Sequence, residues 1–200
     1  KVGSDDLTNI PLIRSYAKEK LPLILSSGMS DLAEVYNSIN VAGGFDGHPV
    51  AILLCTSQYP TPPEEVNIER LRTLKKALPN ITIGFSDHTR GTLASSLAVA
   101  LGATILEKHF TLDHNLPGPD HWFSEDPDGL KEWISFIRKA YIMKGSPLVR
   151  PTLLESKNKN EYQRRLVAAC NIDIGDIFTE QNITLRRVEG GLGLPPSCID

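Results

Sequence analysis

Apolar residues fall along this chain in short unbroken runs, separated by longer stretches in which they recur every three or four positions. The runs are 21–27 (LPLILSS), 50–56 (VAILLCT), 81–86 (ITIGFS) and 103–109 (ATILEKH). A continuous run of this length, with no polar alternation, predicts a strand of a parallel sheet covered on both faces. Residues 10–20, 31–41, 67–78 and 91–101 carry helical spacing, with Asn9, Ser30 and Thr89 as candidate caps. The stretch 126–145 (DPDGLKEWISFIRKAYIMKG) predicts one more amphipathic helix, closed by Gly145. Each strand–helix unit takes about thirty residues, the spacing of a βαβ unit. With residues 1–3 read as the end of an earlier strand, the region 1–145 holds five strands.

Repeated βα units build either an open doubly wound sheet or part of an eight-stranded barrel. The polar residues separate the two. Ser4, Ser27, Ser57, Ser86, His88, Glu107 and His109 all fall where a run ends and its loop begins. A barrel gathers its strand ends around one mouth and builds its site there. An open sheet would spread them along a line and use a single switch point. No GxGxxG follows any run, which removes the usual dinucleotide signal. The chain therefore reads as α/β, the C-terminal part of a (β/α)8 barrel over residues 1–145.

Beyond Gly145 the pattern changes. Residues 146–163 are polar, with two prolines and "KNKNEY", and read as a linker. Residues 164–200 carry short β-like runs, a turn at Gly175 and a possible short helix at 179–182. A tail of this size has little core of its own. Composition adds exclusions. A net charge of −3 gives no attraction to nucleic acid or an anionic membrane. No apolar run approaches a membrane span. Three widely spaced cysteines form neither a disulfide framework nor a zinc pattern, which fits a reducing cytoplasm. The first residue is Lys1, and "KVGS" opens as though in mid-strand, so the chain is expected to be a piece of a longer protein.

Side chains two apart on a strand share a face. Ser86 pairs in this way with His88, and Glu107 with His109; Cys55, Ser57 and Tyr59 share a face if their strand extends that far. Two neutral imidazoles from neighbouring strand ends can take two positions on one divalent metal and leave the rest for water and substrate oxygens. Glu107 beside them can handle a proton or hold a hydroxyl. Asp120, after the stiff "LPGP" turn, can reach back over the mouth. The plainer readings stand beside these: a strand histidine is commonly structural, Cys55 a small buried hydrophobe, His48 a solvated loop residue, His114 and His121 loop residues, and the acids at 125–128 a helix N-terminus.

The ordered motifs "KVGSDDLTN", "LILSSGMS", "LLCTSQYPTPPEEVN", "GFSDHT", "LGATILEKHFTLD" and "PGPDHWFS" resemble those of the sialic acid synthase family, which includes the N-acetylneuraminate, legionaminate and pseudaminate synthases. The tail "RRLVAACNIDIGDIFTEQNITLRR" resembles the family's antifreeze-like (SAF) domain. The resemblance covers nearly the whole chain. It implies a (β/α)8 barrel followed by a SAF domain in a domain-swapped homodimer. It also implies condensation of phosphoenolpyruvate with an N-acetylated hexosamine, such as N-acetylmannosamine, with release of phosphate and a requirement for a divalent metal, Mn²⁺. Carried over by motif, the metal ligands are His88 and His109. Lys1, Ser4, Ser27 and Ser86 bind phosphoenolpyruvate. Glu107 and Asp120 serve the sugar and the chemistry, Ser57 and Tyr59 line the sugar site, and Arg187 reaches a partner subunit to hold the N-acetyl group.

The chain begins at what the family would number strand four, and Ser57 stands where some members carry Asn. The 200 residues alone are therefore expected to be inactive. Two other classes stay open on the residues themselves: another metal-dependent barrel enzyme, and a non-catalytic carbohydrate- or ice-binding module built around the tail.

Overall fold

A computed structural model of the chain describes residues 1–199 and divides it into two compact units, Lys1–Gly145 and Ser146–Asp200. In the first unit, strands β1 (Leu23–Ser26), β2 (Val50–Cys55), β3 (Thr82–Asp87) and β4 (Ile105–Lys108) lie side by side in chain order, all parallel. Val2 bridges Leu25 in parallel on the far side of β1, so residues 1–3 continue the sheet as expected. Helices α1 (Ile10–Lys18), α2 (Leu32–Val41), α3 (Pro63–Val66), α4 (Arg70–Ala77), α5 (Leu93–Leu101) and α6 (Pro127–Lys144) occupy the connections and the end of the unit.

The sheet is curled into half of a (β/α) barrel, and one contact demonstrates the curvature. Lys1 stands at one edge of the array and Glu107 at the other, four strand spacings away. In a flat sheet that is about 19 Å, beyond the combined reach of the two side chains. Yet Lys1 Nζ lies 2.9 Å from Glu107 Oε1. Strand order without reversal also removes the switch point that an open doubly wound sheet would use.

Alternation along the strands sorts their side chains into two layers. Leu23, Leu25, Ile52, Leu54, Ile83 and Phe85 face outward and pack with Ile13, Val35, Ile39, Leu71 and Leu74 of the helices in one core. Inside the curl, Ser26, Leu53, Gly84 and Ile105 stand in register, and above them Cys55, Ser86 and Glu107. Gly84 is demanded by this packing: a Cβ there would lie 2.3 Å from Leu53 Cδ2 and 2.4 Å from Ile105 O.

Helix ends differ from the sequence reading in instructive ways. Asn9 caps α1 as expected, accepting from Leu12 N. Asp31, not Ser30, caps α2, because Asp31 and Glu34 complete a reciprocal capping box. Thr89 caps nothing; it is drawn to the Asp87 carboxylate. The helix expected from residue 67 begins at Arg70, since Asn67 adopts a left-handed conformation (φ 46°). Asp126 caps α6, and Gly145 ends it as predicted.

The second unit, described by itself, takes in the stretch read as a linker. Residues 146–163 are not structureless: Leu153–Tyr162 forms helix α7, started by a capping box between Thr152 and Glu155. Strands β5 (Arg165–Ala168) and β6 (Ile183–Arg186) pair antiparallel, and Leu194 bridges Leu166. The short helix expected at 179–182 is a turn, held by Asn182 Oδ1 on Thr179 N. Ile174, Ile177, Phe178 and Leu192 are exposed. Among the described residues, no helix is long and apolar enough to cross a membrane.

Candidate functional site

The strand ends of the first unit open into a cavity of about 490 Å³. Eight of the residues singled out from the sequence line it: Lys1 and Ser4 at its edge, Ser57 and Tyr59 after β2, and Ser86, His88, Glu107 and His109 on β3, β4 and their loops. The parity of each strand places them together. Ser86 and His88 point inward while Asp87 points out; Glu107 and His109 point inward while Lys108 points out.

Glu107 is the floor of the site. Ser86 Oγ donates to its Oε1 at 2.7 Å and Lys1 Nζ at 2.9 Å. Burial works to raise the pKa of this carboxyl, but the hydrogen bonds from Ser86 and Lys1 outweigh it and hold the group below its ordinary value. Glu107 is thus an ionised, oriented acceptor near neutral pH.

The two histidines stand side by side, ring centroids 5.0 Å apart and nearly perpendicular. Thr56 O lies 2.8 Å from His88 Nδ1 and accepts its proton, which leaves Nε2 with a lone pair. The backbone of His88 is tied as well, its carbonyl accepting from Thr61 N at 2.9 Å. Burial lowers the pKa of both rings, and in His109 the neighbouring His88 adds to the effect. Tyr59 packs on His88 at 4.3 Å and Phe123 on His109 at 5.0 Å. Packed imidazoles kept neutral by burial suit a metal, and in His88 the carbonyl that holds Nδ1 also sets the tautomer. Among the described residues, no three His, Cys, Asp or Glu side chains converge closely enough to hold a metal on their own.

Ser27 is placed elsewhere. Its hydroxyl donates to Leu53 O, buried, at 3.1 Å. The inward residue is Ser26, whose hydroxyl oxygen is buried without a hydrogen-bond partner; Ser57 Oγ is in the same condition. Ser4 Oγ accepts from Gly28 N at 3.0 Å beside them. A Cβ on Gly28 would lie 2.2 Å from Ser57 Oγ and 2.7 Å from Ser4 Oγ, so only glycine leaves this cradle open. Asp120 does not line the cavity but sits over its rim, Oδ2 3.7 Å from His109 Nδ1. Arg187 is exposed in the second unit. His114 and His121 brace the 111–124 loop, bonding Ser124 O and Thr111 Oγ1. Cys55, Met29 and Asp5, which also line the cavity, carried no signal in the sequence beyond position.

A strand-end cavity of this kind puts the chain among the (β/α) barrel proteins that use one mouth for ligand and chemistry. More narrowly, the chain belongs to the NeuB family, the family of the sialic, legionaminic and pseudaminic acid synthases, whose model matches residues 1–148. It is 40% identical over 194 residues to an N,N'-diacetyllegionaminic acid synthase of Campylobacter jejuni, covering 96% of this chain and 58% of that protein. It is 35% identical over 199 residues to the N-acetylneuraminate-9-phosphate synthase of Homo sapiens, covering 100% and 55%. Among solved structures, the N-acetylneuraminic acid synthetase of Leptospira borgpetersenii, in complex with citrate, superimposes with a TM-score of 0.73 at 31% identity, covering 80% of this chain and 55% of that one. The chain thus spans little more than half the length of these relatives.

Proposed function

We propose that the protein carrying this chain is a nonulosonic acid synthase of the transferase class, which condenses phosphoenolpyruvate with an N-acetylated hexosamine and releases phosphate. The observation that carries this reading is the pair of unpartnered buried hydroxyls, Ser26 and Ser57, in the cavity that Lys1 also lines. A buried hydroxyl without a partner costs stability unless a ligand supplies one. Free hydroxyls beside an open glycine, in a cavity that also holds a lysine, suit a small, multiply charged anion. The likeness to synthases of three different nine-carbon sugar acids supports the rest of the assignment.

In this reading Lys1, Ser4, Ser26 and Ser86 hold the carboxylate and phosphate of phosphoenolpyruvate. Its C3 faces the aldehyde of the sugar near His88 and His109. A new bond forms between C3 and the aldehyde carbon, water adds at C2, and the C2–O bond to phosphate breaks. Glu107, ionised and fixed by two donors, holds a hydroxyl or takes a proton at the reacting end. Asp120 meets the sugar from the rim, Tyr59 lines its pocket, and Ser57, which adjoins Gly28 and Ser4, stands where that pocket meets the anion cradle. His88, through the Nε2 that Thr56 O leaves free, and His109 would hold a divalent metal, Mn²⁺ by family resemblance. When bound, that metal supplies Lewis-acid polarisation of the aldehyde oxygen. The protein acts in the cytoplasm as a homodimer, and the second unit, as a SAF domain, lends Arg187 to the N-acetyl group in a partner's barrel. The exposed apolar side chains of that small unit support docking against a larger surface.

The test is phosphate release by the full-length protein with phosphoenolpyruvate and a panel of N-acetylated hexosamines. Release that requires both substrates and stops with a chelator is the expected result. Release without any sugar, or none with every sugar in the panel, would count against the proposal.

A further inference from the structure

Behind the histidine pair, on the outward face of the same two strands, lies a second polar cluster that the chemistry above leaves unused. Lys108 lies between Glu107 and His109, yet only 2% of its side chain is exposed. Its ammonium lies 3.3 Å from Asp87 Oδ2 and 3.7 Å from Glu125 Oε1, and it donates to the carbonyls of Thr89 and of Gly91, the latter at 3.2 Å. Asp87 is fully buried and accepts from Thr89 N at 2.9 Å, Thr89 Oγ1 at 2.7 Å and Ser95 Oγ at 2.5 Å. Glu125 accepts from Gly91 N at 3.2 Å, while its own backbone pairs with His109 O and Thr111 N, each at 2.9 Å.

The connectivity is specific. Asp87 and Thr89 flank His88 on both sides, and one ammonium grips both. The same ammonium belongs to the residue before His109, and its partner Glu125 pairs with the backbone on both sides of Phe110. Two loops that would otherwise move independently are thereby joined through one buried cation. Burying three charges is expensive and contributes little net stability compared with an apolar core. Its return is geometric: partners behind metal-binding histidines set their spacing and orientation.

We propose that Lys108, through Asp87 and Glu125, is the positioning residue of the His88–His109 pair, fixing the two imidazoles at the separation at which they share one divalent cation. This rests on the reading that the pair binds such a cation. The experiment is therefore a direct Mn²⁺ titration of the full-length protein, following free Mn²⁺ by electron paramagnetic resonance, with thermal unfolding measured in parallel. Wild type, His88→Ala, Lys108→Met and Glu125→Gln are compared with Ile13→Val, a core change far from the cluster. The double variant Asp87→Asn with Lys108→Met removes one buried charge of each sign and replaces the single Lys108 change should that one fail to fold.

The expected result is a 10–100-fold loss of Mn²⁺ affinity in folded Lys108→Met or the double variant. A smaller loss is expected in Glu125→Gln, and none in Ile13→Val even where its unfolding midpoint drops. A folded Lys108 variant that binds Mn²⁺ like wild type while His88→Ala does not would overturn the positioning role and leave the metal site standing. His88→Ala binding like wild type would remove the metal site, and the positioning role with it.

Discussion

Ser26 and Ser27 are neighbours at the end of β1, and their hydroxyls meet opposite fates. Ser26→Ala removes a buried hydroxyl that has no partner in the protein, so stability should hold or rise slightly, while KM for phosphoenolpyruvate rises. Ser27→Ala removes a buried hydrogen bond to Leu53 O and should lower stability by about 1 kcal/mol with KM unchanged. Denaturant melts and steady-state kinetics on the two variants separate them; a KM effect confined to Ser27 would reverse the assignment. Glu107→Gln keeps the size of the side chain and its contact with Ser86. It should leave Mn²⁺ affinity largely intact while turnover falls by roughly 10²–10⁴, as for other removed acid–base groups. The inward histidines and Glu107 were legible from the sequence because each ends an apolar run and the run fixes the spacing. The choice between Ser26 and Ser27 was not legible. A strand buried on both faces has no polar alternation, so nothing in "LPLILSS" marks which parity faces the cavity. Asp87 and Lys108 escaped notice for the same reason: they sit between the site residues, at positions where a covered strand would ordinarily carry hydrophobes.

At the level of elements, the strands were readable and their boundaries less so. The four apolar runs became β1 to β4; β1, β2 and β4 are shorter than their runs, because the flanking residues turn into loops or join the site, and β3 keeps its length but starts one residue later. At α2 and α7 the start lies where a side chain satisfies the first free amides, whereas α4 and α5 start without such a cap. Asp31 with Glu34 outcompetes Ser30, and Thr152 with Glu155 makes a helix out of a stretch whose composition suggested a linker. The pattern T-x-x-E was visible in the sequence; the weak amphipathicity around it hid the helix, since most of its residues stay exposed. Asp31→Ala should cost about 1 kcal/mol through the lost cap of α2, measurable as a shift in the denaturation midpoint. An unchanged midpoint would mean that α2 is held by packing of Val35 and Ile39 alone.

At the scale of the whole molecule, the role proposed for the second unit has a direct test. If the second unit acts on a partner's barrel, two defective full-length proteins should complement each other. One lacks residues from Arg164 onward; the other carries Glu107→Gln with its tail intact. Mixed at low sugar concentration and allowed to exchange subunits, some dimers unite an intact barrel with an intact tail, and activity should partly return. A mixture no better than the mean of its parents would place the tail on its own barrel. Arg187→Ala alone should raise KM for the sugar and leave that for phosphoenolpyruvate nearly unchanged.

The alternation along β3 and β4 has a further consequence, for which changes in length the gene can accept. At the ends of these strands Ser86, His88, Glu107 and His109 face the cavity, and the alternate residues Asp87 and Lys108 form the clamp behind it. Deleting a single residue within β4 would swing Lys108 into the cavity and drive Glu107 and His109 outward, exchanging the two sets at a stroke. A deletion of two would restore parity but slide the register by one full repeat along β3. The segment 112–118, whose side chains are exposed, has no such parity to keep. Length variation between descendants of this chain should therefore collect in that loop and be absent from the strands, and a library of single-residue deletions scored for survival of function would reveal the boundary between the two.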